Sequence, residues 1–215
     1  MKKNLYLCGV LLMACAGSSR AAIVLNNNWT VNQAITEGSP VGITESETLA
    51  TGGTISDVSV NLDISGGYNG YLYGYLTFQS ANGQAYTEIL LNEIGTSSAN
   101  PFGSSGAGLN VTLSDSGTVN GSIHNAAGVP TGTWLADSTS TLDGTFGGLT
   151  ADGTWTLYLA DLSVGGGTST LDSWGLEVSV VPEPAEAGLV LGAGALLIVA
   201  GESFRRGRRI ASRNA

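Results

Sequence analysis

Hydrophobic and polar residues alternate along much of residues 23–181. Between Ile55 and Ile64, Val58, Val60, Leu62 and Ile64 take every second position, with Ser59, Asn61 and Asp63 between them. Successive side chains of a strand point to opposite faces, so this spacing predicts a half-buried strand with one apolar side. Leu109, Val111 and Leu113 repeat the pattern, as do Trp155, Leu157 and Leu159, and finally Trp174, Leu176, Val178 and Val180. Turn signals separate the strands: Asn69-Gly70, Asn82-Gly83, Asn120-Gly121, Asp143-Gly144 and Asp152-Gly153. No stretch before residue 185 carries a convincing helical period. About seven to nine short strands at this spacing predict an all-β, two-sheet sandwich.

Tyr71, Tyr73 and Tyr75 alternate with Leu72, Gly74 and Leu76. That alternation predicts three tyrosines on one face and leucines feeding the core from the other. An exposed aromatic stripe can stack on sugar rings, which makes the three tyrosines a candidate ligand stripe. Packing at a sheet edge or beneath a loop is the commoner use of strand aromatics. Trp134, Trp155 and Trp174 are expected in the core or at a sheet rim.

Composition supports this picture: 32 of 215 residues are glycine and only 12% are charged, which suits strands and tight turns. The placement of charge says more than the net value of −9. No Lys or Arg occurs between Ala21 and Phe204, whereas 14 of the 17 acidic residues lie between Glu37 and Glu177. Such a surface repels phosphate backbones, which excludes nucleic acid as a partner. The body also has no cation to clamp an anionic substrate, and no lysine to form a Schiff base. Both cysteines, Cys8 and Cys15, lie near the N-terminus, so the body has no disulfide or thiol site. A domain of this size buries roughly two-thirds of its unfolded surface and needs no staple.

The two ends read as addresses. Residues 1–22 have the form of a secretory signal: Lys2 and Lys3, an apolar run from Leu5 to Ala14, then Ser19-Arg20-Ala21. A buried N-terminal helix and lipidation at Cys15 are weaker readings. At the other end, Pro182-Glu183-Pro184 precedes an apolar stretch, Ala187 to Gly201, and then Arg205, Arg206, Arg208 and Arg209. Fifteen helical residues reach about 22 Å, short of the ~30 Å hydrocarbon layer. Extending the helix to about 187–204 narrows the gap, and the basic end, 205–215, is expected to stay cytoplasmic.

The residues offer three kinds of candidate site. His124 is the body's one histidine and would be the sole base of a Ser-His-Asp hydrolase, but no Gly-x-Ser-x-Gly elbow accompanies it. A structural or exposed histidine is the preferred reading. Asp137, Asp143, Asp152, Asp161 and Asp172 could supply paired carboxylates for glycoside hydrolysis, but most stand where aspartate stabilises turns. A lysine-free acidic surface also suits calcium, for which Asp57, Asp161 and Asp172 are the candidates, with no EF-hand loop among them. No other cofactor is expected.

The C-terminal Pro182-Glu183-Pro184, short apolar helix and arginine cluster, in that order, resemble the PEP-CTERM sorting domain. That resemblance implies an exosortase-type membrane enzyme as partner, cleavage near Pro182–Pro184, and a mature protein at the cell envelope and its exopolysaccharide. The body resembles the P domain (P/Homo B) of subtilisin-like proprotein convertases, and more closely a group of secreted bacterial proteins in which that domain stands alone before such a tail. The resemblance spans roughly residues 28–180. Ile55–Val60, Leu90–Asn92 and Pro101–Gly103 carry its first half. Gly132–Trp134 with Asp137, Phe146–Leu149, Gly153–Leu157 with Ala160-Asp161, and Leu171–Leu176 carry its second. It implies a jelly-roll sandwich with an accessory, non-catalytic role. Gly70-Tyr71-Leu72 and Ser65-Gly66-Gly67 depart from the family, so roles given there to an aspartate and a histidine do not transfer. The expectation is a non-catalytic exported surface or matrix protein: signal 1–22, sandwich 23–181, sorting tail 182–215. The alternative is an accessory P domain serving a separate subtilisin-like endopeptidase.

Overall fold

The alternating segments do become strands, and their apolar rows face each other across two sheets. The structure is a computed structural model that describes residues 23–181. Its elements, in order, are β1 (Ile23–Ile35), β2 (Ser39–Leu49), β3 (Thr54–Gly66), β4 (Leu72–Ser80), β5 (Ala85–Asn92), β6 (Gly108–Ser114), β7 (Thr131–Trp134), α1 (Leu142–Phe146), β8 (Gly153–Asp161) and β9 (Ser169–Val181). One sheet has the order β1-β9-β3-β6-β7 and the other β2-β8-β4-β5. All pairings are antiparallel except β6 with β7. The expected signal at 1–22 and sorting tail at 182–215, with Pro182, Glu183, Pro184, Arg205, Arg206, Arg208 and Arg209, lie outside the described residues.

The rows read from the sequence fill the core. Val58, Val60, Leu62 and Ile64 of β3, Leu109, Val111 and Leu113 of β6, and Trp174, Leu176, Val178 and Val180 of β9 are all buried. From the facing sheet come Leu72, Leu76 and Phe78 of β4 and Trp155, Leu157 and Leu159 of β8. Trp155 is wedged between Phe78 at 4.4 Å and Phe146 at 5.0 Å, and Trp174 lies 4.7 Å from Trp29. Such aromatic pairs add about 0.5–1.5 kcal/mol each beyond their buried area. In β4 the inward row reads Leu72, Gly74, Leu76, because a Cβ on Gly74 would stand 2.5 Å from the Leu159 methyl opposite.

One expected turn behaves differently. Asp143-Gly144 forms the start of α1, a helix too short to persist on propensity alone. Caps hold it: Thr141 Oγ1 accepts from Gly144 N at 3.0 Å, and the Asp115 carboxylate accepts from Leu142 N and Asp143 N at 3.1 and 3.0 Å. Edge strands are also guarded. β1 is bulged between Thr30 and Gln33, and β2 turns Glu45 and Glu47 into its inward row, both features that discourage pairing with another chain.

Strand register assigns each loop to an end. Ile23 pairs with Val180, so the two termini of the described domain emerge side by side. Ser39 and Leu72 both lie opposite Asp161, Gly66 opposite Ser169, and Asn92 opposite Tyr73. Segments 36–38, 67–71, 93–107 and 162–168 therefore cluster at the end of the sandwich away from the termini.

Candidate functional site

The outer face of the four-stranded sheet is built by period-two rows of hydroxyl and aromatic residues. Thr44, Ser46 and Thr48 point outward from β2, and Thr154, Thr156 and Tyr158 from β8. Register aligns them across strands: Ser46 faces Thr156, Thr156 faces Thr77, and Thr77 faces Thr87. Neighbouring hydroxyls are hydrogen-bonded, at 2.9 Å for Ser46–Thr156, 3.1 Å for Thr48–Thr154 and 2.9 Å for Thr77–Thr87. The next row toward the loops runs Thr44, Tyr158, Tyr75, Ile89. No outward position of these four strands carries a charge.

Three half-buried tyrosines close the loop-side end of this face. Tyr75 and Tyr158 stack with centroids 4.6 Å apart and planes 18° from parallel, and Tyr73 meets both edge-on at 6.2 and 6.5 Å. The Tyr158 hydroxyl donates to the Pro40 carbonyl, fixing the ring against the start of β2. Partial burial, then the neighbouring Tyr75 and Tyr73 hydroxyls, raise the Tyr158 pKa above its ordinary value.

The expected stripe of Tyr71, Tyr73 and Tyr75 is thus corrected at one member. Tyr71 belongs to a 3-10 turn, Asn69–Tyr71, that ends before β4 begins. Its ring is buried 5.6 Å from Tyr68 and lies over Gly166. The turn is possible because residue 70 is glycine: a Cβ there would collide with the Phe102 carbonyl. Tyr158, missed in the sequence, takes the third place. Its alternation with Thr154 and Thr156 was readable; its pairing with Tyr75 was not.

His124 sits in a different setting. Its Nδ1 lies 2.8 Å from Asp137 Oδ2 and its Nε2 3.0 Å from the Thr96 carbonyl. Both ring nitrogens face acceptors, and only the doubly protonated imidazolium satisfies both. Burial opposes that charge, but the Asp137 carboxylate and the Thr96 carbonyl outweigh it and raise the His124 pKa. Burial lifts Asp137 as well, against the lowering effect of His124 and the Asn92 N–H. An imidazole so occupied has no lone pair to offer a serine hydroxyl, as a general base must.

The aspartates are taken up by local structure. Asp152 Oδ1 accepts from Thr51 N and Gly52 N, each at 2.7 Å, and Asp143 Oδ1 accepts from Val58 N at 2.9 Å. Asp161 accepts from Ser169 Oγ at 3.3 Å. Burial raises the pKa of Asp143 and of Asp161, with nearby carboxylates adding to the effect in each. The structure does not bring the calcium candidates Asp57, Asp161 and Asp172 together, and among the described residues no group of three or more His, Cys, Asp or Glu could hold a metal ion. Nor is any helix among them long and apolar enough to cross a membrane.

No protein-family model matches the chain. No curated protein matches it either. Among solved structures, the chain resembles a serine protease of Aeromonas sobria in complex with the chaperone ORF2, at 17% identity and a TM-score of 0.47, covering 76% of this chain and 28% of that one. The Aeromonas sobria serine protease alone matches at 18% identity and a TM-score of 0.45, covering 75% and 28%. FLHE matches at 11% identity and a TM-score of 0.38, covering 75% and 98%. This chain spans little more than a quarter of the two protease chains' length.

Proposed function

We propose that this chain is a non-catalytic, exported β-sandwich that binds a neutral, extended polysaccharide of the cell surface or matrix. The observation that carries the reading is the uncharged outer face of the four-stranded sheet, with its hydroxyl rows and its Tyr73–Tyr75–Tyr158 cluster. Strands about 4.8 Å apart, with outward residues about 6.8 Å apart along each strand, present hydroxyls at intervals that sugar hydroxyls can meet. Ring faces beside them offer stacking for the CH face of a pyranose. The sorting-tail resemblance supports export, an anchored precursor and release by an exosortase-type enzyme. Val181 directly precedes Pro182, at the end opposite the loops, so a tether there would hold the tyrosine end outward. Strand order supports the jelly-roll reading: apart from β7, strands β1-β9-β3-β6 and β2-β8-β4-β5 interleave as two Greek keys do. The test is retention of the full-length chain on exopolysaccharide from the producing cells. Changing Tyr73, Tyr75 and Tyr158 together to alanine should abolish it, and undiminished retention would remove the reading.

A second reading is an accessory domain for a separate subtilisin-like protease. Its support is the P-domain motifs, whose closing pair, Gly153–Leu157 and Leu171–Leu176, forms the central core strands β8 and β9. The half-life of such a protease, with and without this chain, decides it; an unchanged half-life and cleavage pattern count against it.

A further inference from the structure

One side of the sandwich is bounded by two edge strands. β1 and β2, joined through residues 36–38, end the five- and four-stranded sheets next to each other, and among the described residues no strand pairs with the outer edge of either. β1 is an irregular edge: its register shifts between Thr30 and Gln33, and Asn32 has φ 53°. β2 is regular from Ile43 to Leu49, pairing residue by residue with β8. Alternate residues of that run direct N–H and C=O away from β8, which makes it a template for a further strand.

The side chains of this seam say what such a strand must carry. From β1, Leu25, Trp29 and Val31 are half-buried against the core, with Trp29 4.7 Å from Trp174. The inward row of β2 reads Ile43, Glu45, Glu47, Leu49, its outer members buried and its two glutamates half-buried. On β8, Glu45 lies opposite Leu157 and Glu47 opposite Trp155, both buried. Among the described residues neither carboxylate has an ion-pair partner: the chain has no Lys or Arg between Ala21 and Phe204, and His124 pairs with Asp137. A second copy of β2 laid alongside would set like charges against each other, which is unfavourable. A basic strand meets the opposite case. Its cations at every second position stand about 6.8 Å apart, the spacing of Glu45 and Glu47 along β2. Its intervening residues fall on the outward side, beside Thr44, Ser46 and Thr48, where a threonine extends the hydroxyl rows. The acidic body also steers a basic segment toward it.

We propose that the free edge of β2 takes up a basic, extended peptide segment of a partner protein as an added strand, with lysines or arginines opposite Glu45 and Glu47. Main-chain hydrogen bonds supply the docking and the two carboxylates select the sequence. The experiment titrates a dye-labelled peptide of alternating lysine and threonine with the full-length chain, reading fluorescence anisotropy and hydrogen exchange of the β2 amides. Binding should be saturable and should slow exchange between Ile43 and Leu49. Changing Glu45→Gln and Glu47→Gln together should weaken it about tenfold without lowering the melting temperature. Asp57→Asn with Asp63→Asn removes the same charge from the other sheet and should leave binding unchanged. The block isomer of the peptide, with all lysines before all threonines, should bind about tenfold more weakly. Absence of binding overturns the proposal. So does binding indifferent to the Glu45 and Glu47 changes, or weakened equally by the Asp57 and Asp63 changes, since either leaves only attraction to an acidic surface. A glucosamine oligomer that binds more tightly than the peptide while the β2 amides exchange freely also overturns it, and assigns the seam to a cationic glycan. Retention on neutral polysaccharide is a separate readout on the opposite side of the same sheet, so either reading can fail without the other.

Discussion

The outer faces of the two sheets differ sharply, although one core supports both. On the five-stranded sheet, outward positions include Asp57, Asp63 and Glu177, interspersed with Asn26, Asn61, Asn110 and Thr112. Their polar groups engage one another: Asn26 Nδ2 donates to Glu177 Oε2 at 2.7 Å and Thr112 Oγ1 to Asn61 Oδ1 at 2.6 Å. The four-stranded sheet carries no outward charge and gathers tyrosines at one end. A domain with 14 carboxylates and no Lys or Arg between residues 23 and 181 has cleared one face of them. The lesson is one of desolvation. Covering a carboxylate with a neutral sugar strips water from a charge without replacement, whereas hydroxyls and ring faces exchange water for equivalent partners.

The widest break in this comparison comes from beneath it. Trp155→Ala empties the space between Phe78 and Phe146 and should cost about 3–5 kcal/mol, measured by chemical denaturation, with both faces lost together. Next in size, the paired change Tyr75→Ala and Tyr158→Ala should lower polysaccharide retention about tenfold. It should take about 1 kcal/mol of stability with the stacked pair.

A gentler change tests the loop end through pH. The folded domain holds the His124 proton more tightly than the unfolded chain does. That contribution is complete below the ordinary imidazole value near 6.5 and disappears as pH rises through the raised folded value. Asp137, raised by burial, adds a term of the same sign at lower pH, starting from the ordinary carboxylate range. Denaturation midpoints should therefore fall from pH 6 toward pH 8, and His124→Gln should flatten that slope; an unchanged slope would show that folding does not tighten the His124 proton. The smallest effect belongs to the charged face: Asp63→Asn should alter stability by less than about 0.5 kcal/mol and leave retention unchanged. If it weakens retention, the binding face has been assigned to the wrong sheet.

Much of the fold was readable before any coordinates. The rows at Val58–Ile64, Leu109–Leu113, Trp155–Leu159 and Trp174–Val180 are inward because a period of two admits only two faces, and apolar residues take the buried one. The candidate site was readable only in part. Tyr73 and Tyr75 continue a visible alternation, but Tyr71 falls one residue before the strand begins, in a 3-10 turn that Gly70 permits beside the Phe102 carbonyl and that turns the Tyr71 ring inward. The short α1 was hidden because, beside the local Thr141 cap, its first two N–H groups are held by Asp115, distant in the chain.

The amino-acid order alone determined which side chains share a strand face, where turns fall, and that the body is acidic and free of thiols and Lys or Arg. These are local or summed properties, fixed by backbone geometry and composition. Which strands lie side by side was decided only in three dimensions. The pairing of Tyr75 with Tyr158, the row from Ser46 to Thr87, the meeting of His124 with Asp137, and the seating of Asn69 under two distant glycine carbonyls all depend on register between separated segments. Register is set by how two apolar faces pack together, a property of the whole sandwich that no single segment contains.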